Sequence, residues 1–263
     1  MSDKTQEILR MNHVCKNFGG ITAIDDFNCV ITEGQVHGLI GPNGAGKTTI
    51  FNNISGIYSP DGGNIIFLDK DITGAKPHTI ASSGIARTFQ NIRLFQNLSA
   101  LDNIITASSF SLHYTLFDAI CRTPKYRAAE KVVKEKSLAL LESVGLSGKV
   151  DELAGKLPYG HQRKLEIARA LALNPKLILL DEPAAGMNGA ESNELVDFIK
   201  KIHDTFHLTI LLIEHHIDVV TQLCDMVTVL NFGKTICCGS SYDIRRDARV
   251  VEAYIGKSVG GLD

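Results

Sequence analysis

No surplus of one charge sign marks this chain, since 27 Lys and Arg stand against 29 Asp and Glu in 263 residues. A polyanion partner calls for a basic stripe, so nucleic acid is not expected, and any phosphate ligand has to be held locally. The six cysteines, at 15, 29, 121, 224, 237 and 238, form no CxxC pair, and Cys237 and Cys238 are adjacent. That spacing suits neither a disulfide framework nor a zinc site and points to a reducing compartment. The first residues, MSDKTQEILR, lack an apolar core, so no signal peptide is expected. The longest apolar runs, such as Leu208 to Ile213, fall far short of the ~20 residues a membrane span requires. A membrane role is therefore expected only through a partner. Internal repeats and low-complexity tracts are missing too, and the small, polar tail from Gly256 to Asp263 is expected to be loose.

What is there is an alternation. Apolar runs of strand length are each followed by punctuation: Val36 to Ile40 by a glycine loop, Leu177 to Leu180 by Asp-Glu-Pro, Leu208 to Ile213 by Glu-His-His. Helices are expected between them, from Lys47 to about Ile57, from His161 to Leu173 and from Ala190 to Phe206. In the last of these, Leu195, Phe198, Ile199, Ile202 and Phe206 form one apolar stripe. Strands alternating with helices predict an α/β fold with a mainly parallel, buried sheet. The stretch from about Leu98 to Gly155 has few β-branched runs and a charged helical segment, Lys125 to Val144, which suggests an inserted helical subdomain; a plain surface helix pair remains the alternative. One domain with such an insert accounts for the length.

Gly41-Pro42-Asn43-Gly44-Ala45-Gly46-Lys47-Thr48 satisfies the phosphate-loop pattern and lies between an apolar strand and a helix, where that chemistry needs it. Its glycines let backbone N–H groups converge on phosphate oxygens, and the helix N-terminus adds the positive end of its dipole. Lys47 would reach the β and γ phosphates, and the Thr48 hydroxyl would ligate Mg2+. The contacting set runs on to Thr49. The strand Leu177 to Leu180 ends in Asp181, suited to contacting magnesium, and Glu182, suited to facing an attacking water. His215, after a further strand, falls at the ligand-bearing edge of such a sheet and is read as a γ-phosphate contact. Glu214-His215-His216 also admits a metal site, though without the spacing of known histidine pairs.

Leu157-Pro158-Tyr159-Gly160-His161-Gln162-Arg163-Lys164-Leu165-Glu166-Ile167-Ala168-Arg169-Ala170-Leu171 resembles the signature and signature helix of the ATP-binding cassette family. With the motifs above, the resemblance spans essentially the whole chain. It implies a phosphate-loop cassette with a mainly parallel core sheet, an antiparallel β subdomain and a helical subdomain at 98–155, the catalytic core occupying 1–97 and 156–255. It further implies that Phe18 stacks on adenine and that Gln90, in Arg87-Thr88-Phe89-Gln90, senses magnesium and the attacking water. Ala184-Ala185-Gly186-Met187-Asn188 corresponds to the D-loop, and His215 to the switch histidine.

By the same resemblance, Gly160, His161 and Gln162 of one subunit close over the ATP held by another. Glu182, His215, Lys47 and Gln90 then form the catalytic set for ATP hydrolysis. Within the family, Tyr159-Gly160, the D-loop spelling, Leu211-Leu212-Ile213-Glu214-His215 and an insertion around Leu112 to Lys136 look most like importers of branched-chain amino acids. Partners implied are a second cassette, two transmembrane permease subunits and, indirectly, an extracytoplasmic binding protein. The place implied is the cytoplasmic face of the membrane. An exporter or lipid-extraction cassette and a soluble non-transport ATPase are the alternatives.

Two residues depart from the family pattern. Pro158 and Tyr159 replace the signature serine and the glycine after it, so a hydroxyl and a backbone donor are lost. Asn188 stands where many D-loops carry aspartate.

Overall fold

The computed structural model describes residues 6–109 and 115–255. Ten strands are present among them: β1 Glu7–Phe18, β2 Ile21–Thr32, β3 Val36–Ile40, β4 Gly62–Phe67, β5 Lys70–Asp71, β6 Ile85–Arg87, β7 Leu177–Asp181, β8 Thr209–Ile213, β9 Met226–Asn231 and β10 Lys234–Ser240. The α-helices are α1 Lys47–Ile54, α2 Pro77–Ser83, α3 Ala100–Ser108, α4 Leu116–Ile120, α5 Pro124–Ser143, α6 Tyr159–Leu171, α7 Gly189–Phe206, α8 Ile217–Leu223, α9 Ser241–Ile244 and α10 Ala248–Ile255.

The chain divides into two compact units, one reaching to Arg87 and resuming at Lys176, the other running from Thr88 to Pro175. The second is wider at both ends than the 98–155 insert expected from composition. The insertion around Leu112 to Lys136 falls partly, and the tail Gly256 to Asp263 wholly, outside the described residues.

In the first unit, a six-stranded sheet runs in the order β10-β9-β3-β8-β7-β6, and only the β9–β10 pairing is antiparallel. Every residue of β3, β7 and β8 is buried, which is what parallel strands covered on both faces require. An antiparallel sheet, β2-β1-β4-β5, forms the second layer. Ile8, Met11 and Val14 of β1, Phe27 of β2, Ile50 and Phe51 of α1, and Leu179 and Ile213 of the parallel strands share one apolar core. Each such side chain contributes roughly 1.5–3 kcal/mol by leaving water, and α1 is held by that burial.

Expected and observed helices differ at their ends for local reasons. The first, α1, stops at Ile54 because the chain reverses: Gly56 takes φ 73°, and the N–H groups of Ile57 and Tyr58 both donate to Asn52 O. The signature helix α6 opens two residues before His161, with Pro158 as the residue preceding its first turn. On α7, Leu195, Phe198, Ile199 and Ile202 are buried, but Phe206 lies in the last turn and is exposed, so the stripe is one residue shorter than expected.

In the second unit, α3 packs on α5 and α6. The 20-residue α5 starts from a Thr123 cap with Pro124 in its first turn and buries only Val133, Ser137 and Leu141, leaving its charges in water. Among the described residues no helix is long and apolar enough to cross a membrane. All six cysteines are free thiols.

Candidate functional site

The phosphate loop joins β3 to α1, and its glycines are fixed by the strands behind it. Gly41 and Gly46 adopt φ 152° and 106°. A Cβ on Gly41 would stand 2.2 Å from Leu230 O, and one on Gly46 would stand 2.6 Å from Ala23 O. Neither position admits a side chain, both because of the left-handed backbone and because β9 and β2 press against it. Gly233 N–H donates to Ala45 O at 2.9 Å, tying the loop to the β9–β10 turn. Gly46 precedes α1 and has no side chain to offer the first-turn N–H groups, so they remain directed at the loop's mouth.

Lys47 is 5% exposed and its Nζ donates to Gly41 O at 2.6 Å and Pro42 O at 3.0 Å. Burial holds its pKa below the ordinary lysine value, while the carboxylates of Glu182 and Asp181 act in the opposite direction. Asp181 at the end of β7 and Glu182 directly after it are the acids whose charge acts on the loop's lysine. Thr48 is exposed and Thr49 half-buried on α1; Asn43 and Gly44 are exposed and Pro42 half-buried.

Asp181 ends β7 as a buried acid and receives a hydrogen bond from Arg87, the last residue of the neighbouring strand β6. Arg87 also donates to Asn52 Oδ1 at 2.8 Å and Ser55 Oγ at 2.9 Å on the C-terminal side of α1. Arg87 thus clips Asp181 to the helix that begins with Lys47. Its importance was not read from the sequence, although a charged residue closing a short apolar strand is a sign that a buried partner waits.

Glu182 has φ 45°, an uncommon backbone for a residue with a side chain, and its N–H donates to Ile213 O at 2.9 Å. The turn out of β7 is thereby pinned to the end of β8, two residues before His215. His215 Nδ1 lies 3.7 Å from Glu182 Oε2, with the imidazole 43% exposed. His215 and His216 stack obliquely, centroids 4.1 Å apart.

Glu214, His215 and His216 each place a ligand atom within 4.8 Å of one another. Glu214 is wholly buried, however, and accepts from Ala184 N–H at 2.9 Å, His215 N–H at 3.2 Å and His216 Nδ1 at 3.3 Å. Its carboxylate serves as the internal acceptor that fastens the D-loop to the end of β8.

Phe18 closes β1 half-exposed, its ring 5.1 Å from that of Tyr58 in an edge-on arrangement. Lys16 Nζ, 5.5 Å from the Phe18 centroid, is held by Ser59 O and Asp61 Oδ1, both at 2.8 Å. One face of the aromatic platform is therefore buttressed. Asn188 caps α7: its Oδ1 accepts Glu191 N–H at 3.0 Å, and Glu191 Oε2 accepts Asn188 N–H at 3.0 Å. Asparagine and aspartate cap equally well, which accounts for the departure at this position.

Gln90, Gly160, His161 and Gln162 belong to the second unit. Gln162 Nε2 donates to Leu157 O at 2.8 Å, bracing the entry to α6, and His161 Nδ1 is buried without a hydrogen-bond partner among the described residues. Gln90 and the signature helix are linked through Arg163, whose role the sequence did not reveal: an arginine on a helix reads as a solvated charge until its burial is known.

The first unit thus presents a phosphate loop, a buried lysine, two acids and a histidine at the C-terminal ends of parallel strands, where ligands of open α/β sheets bind. The protein-family model described as ABC transporter matches residues 24–185. Among curated proteins, the high-affinity branched-chain amino acid transport ATP-binding protein BraF of Pseudomonas aeruginosa is 39% identical over 254 residues, covering 97% of this chain and 100% of that protein. Its counterpart LivG of Escherichia coli strain K12 is 37% identical, with the same coverage. Among solved structures, an ATP-binding cassette of an ABC transporter in its ADP conformation is 33% identical with a TM-score of 0.83, covering 96% of this chain and 100% of that one. A nucleotide-free cassette is 32% identical with a TM-score of 0.82, at the same coverage. With a family model spanning more than half of its length and relatives matched end to end, the chain belongs to the ABC transporter family.

Proposed function

We propose that this chain is the ATP-hydrolysing subunit of a membrane importer for branched-chain or related amino acids. The observation that carries the reading is its 39% identity, over nearly all of both chains, to an ATP-binding protein of branched-chain amino acid transport. The site supplies the chemistry. The N–H groups at the start of α1 and the Lys47 ammonium take the charge of the β and γ phosphates, and Phe18 offers its open face to the adenine. Glu182 accepts a proton from the attacking water, and His215, beside it, holds the γ-phosphate. The reaction leaves ADP and phosphate.

Thr48 and Asp181 are hard oxygen donors and fit Mg2+, and Arg87 donates to Oδ2 of Asp181. When bound, Mg2+ neutralises charge on the β and γ phosphates. By the family resemblance, Gln90 is the residue that senses the metal and the water. A second cassette, identical or similar, closes Gly160, His161 and Gln162 over the nucleotide, the dipole of α6 replacing the missing signature serine. Helices of the 98–155 segment carry the resulting motion to two permease subunits at the cytoplasmic face of the membrane, served from outside by a binding protein.

Uptake of radiolabelled leucine, isoleucine and valine, measured in cells whose genomic copy carries Lys47→Ala, tests the proposal. Uptake should fall to the level of a deletion strain. Undiminished uptake of all three would overturn the substrate class, and cross-linking that captures no multi-spanning permease would overturn the membrane assignment.

A further inference from the structure

Arg163 has no exposed surface and heads the fully buried side chains in size. Its Nη1 donates to Phe89 O at 2.9 Å and to Glu166 Oε2 at 2.7 Å; its Nη2 donates to Gln90 O at 2.8 Å and to Tyr159 Oη at 3.1 Å. The other carboxylate oxygen, Glu166 Oε1, accepts Arg93 N–H at 3.1 Å. Arg163 and Glu166 are three residues apart on α6, and Tyr159 is one turn earlier, so one helix face carries all three. A single ion pair therefore grips the backbone on both sides of Gln90 and, through Tyr159, the first turn of the signature helix.

Stability alone does not explain such a pair. A buried ion pair spends most of its attraction on desolvation, and apolar side chains of similar volume stabilise as well or better. What apolar side chains cannot do is hold two carbonyls, an N–H and a hydroxyl in one register. Tyr159 gives the link its second end: a glycine there, as in the general family signature, has no hydroxyl to reach the guanidinium.

We infer that Arg163 and Glu166 are positioning residues that lock the Gln90 loop to the first turn of α6, so that the two shift together. The inference rests on the reading of Gln90 as the sensor of the attacking water and of Gly160 to Gln162 as donors to a partner's nucleotide. A displacement of Gln90 imposed by nucleotide in one cassette thereby becomes a displacement of the segment that serves the other.

Steady-state ATP hydrolysis by the purified full chain tests the link through a double-mutant cycle of Arg163→Lys and Gln90→Ala, with ATP affinity read separately by equilibrium binding. A lysine ammonium cannot span both carbonyls and the hydroxyl, so Arg163→Lys should lower kcat about ten-fold while the ATP dissociation constant moves by less than about two-fold. In the Gln90→Ala background the same substitution should cost less than about two-fold, because the group it positions is gone. A merely structural role would instead repeat the full ten-fold loss in that background, and that result would overturn the inference. Should Arg163→Lys fail to fold, Tyr159→Phe carries the cycle, removing one hydroxyl from a partly exposed ring; it should lower kcat about three-fold, again only when Gln90 is present. An impaired Gln90→Ala beside a normal Arg163→Lys and a normal Tyr159→Phe overturns the link alone. Unchanged kcat in Gln90→Ala overturns the reading of Gln90 and the link with it.

Discussion

Arg87 Nη2 donates to Asp181 Oδ2 across 2.9 Å, and the two side chains are 7% and 6% exposed. The pair joins the ends of adjacent parallel strands, and through Asn52 and Ser55 it reaches the helix that follows the phosphate loop. Removing one partner leaves the other charge buried and uncompensated. Arg87→Met should destabilise the chain by about 3–5 kcal/mol in urea unfolding. A loss below about 1 kcal/mol would show that the pair is dispensable to the fold.

Lys47→Ala removes the cation from the phosphate loop while leaving its glycines in place. ATP affinity measured by calorimetry should drop by about 100-fold, in line with about 2–3 kcal/mol for a charge-assisted contact. Unchanged affinity would remove Lys47 from the phosphate site.

Glu182→Gln keeps the hydrogen-bonding shape of the side chain and abolishes its ability to take a proton. Hydrolysis should slow by about 10²- to 10⁴-fold, with ATP binding retained and an ATP-bound dimer accumulating on gel filtration. Normal turnover would require another base.

His37 lies inside β3, buried, with Nε2 2.9 Å from Thr228 Oγ1 and Nδ1 without a hydrogen-bond partner among the described residues. Burial lowers its pKa from the ordinary 6.5 to about 4. The unfolded chain therefore binds a proton that the folded chain refuses between these two values. Stability from this group is full above pH 6.5 and falls as pH drops toward 4, by about 3 kcal/mol in total. Urea midpoints compared between the protein and His37→Asn should diverge in slope across that window; parallel curves would mean that His37 is not the titrating group.

Pro158→Ser restores the hydroxyl usual in the signature and frees one backbone donor at the start of α6. ATPase activity should be preserved or raised, since serine is also a favourable residue before a helix. A large loss would show that the loop needs the proline's fixed φ.

Much of the fold was legible because its signals are local. Three apolar runs became buried parallel strands, and the phosphate loop fell between β3 and α1, since a glycine pattern and a hydrophobic run each describe one short segment. Helix ends were less legible: the reversal at Gly56 and the exposure of Phe206 depend on what the neighbouring chain covers. The reason for Asn188 lay in between, as a capping box is written in sequence yet was masked by its place in a longer motif.

The sequence by itself determined the class of chemistry, because the pattern of the loop's glycines, Lys47, Asp181 and Glu182 is written in short local segments. Only the tertiary structure decided what holds them. Arg87 and Arg163 look like ordinary surface charges in a linear chain, yet Arg87 is buried against Asp181, far along the sequence, and Arg163 against Glu166, one helical turn away. A charge shows its partner only once burial removes the water that would otherwise satisfy it, and burial is a property of the folded whole.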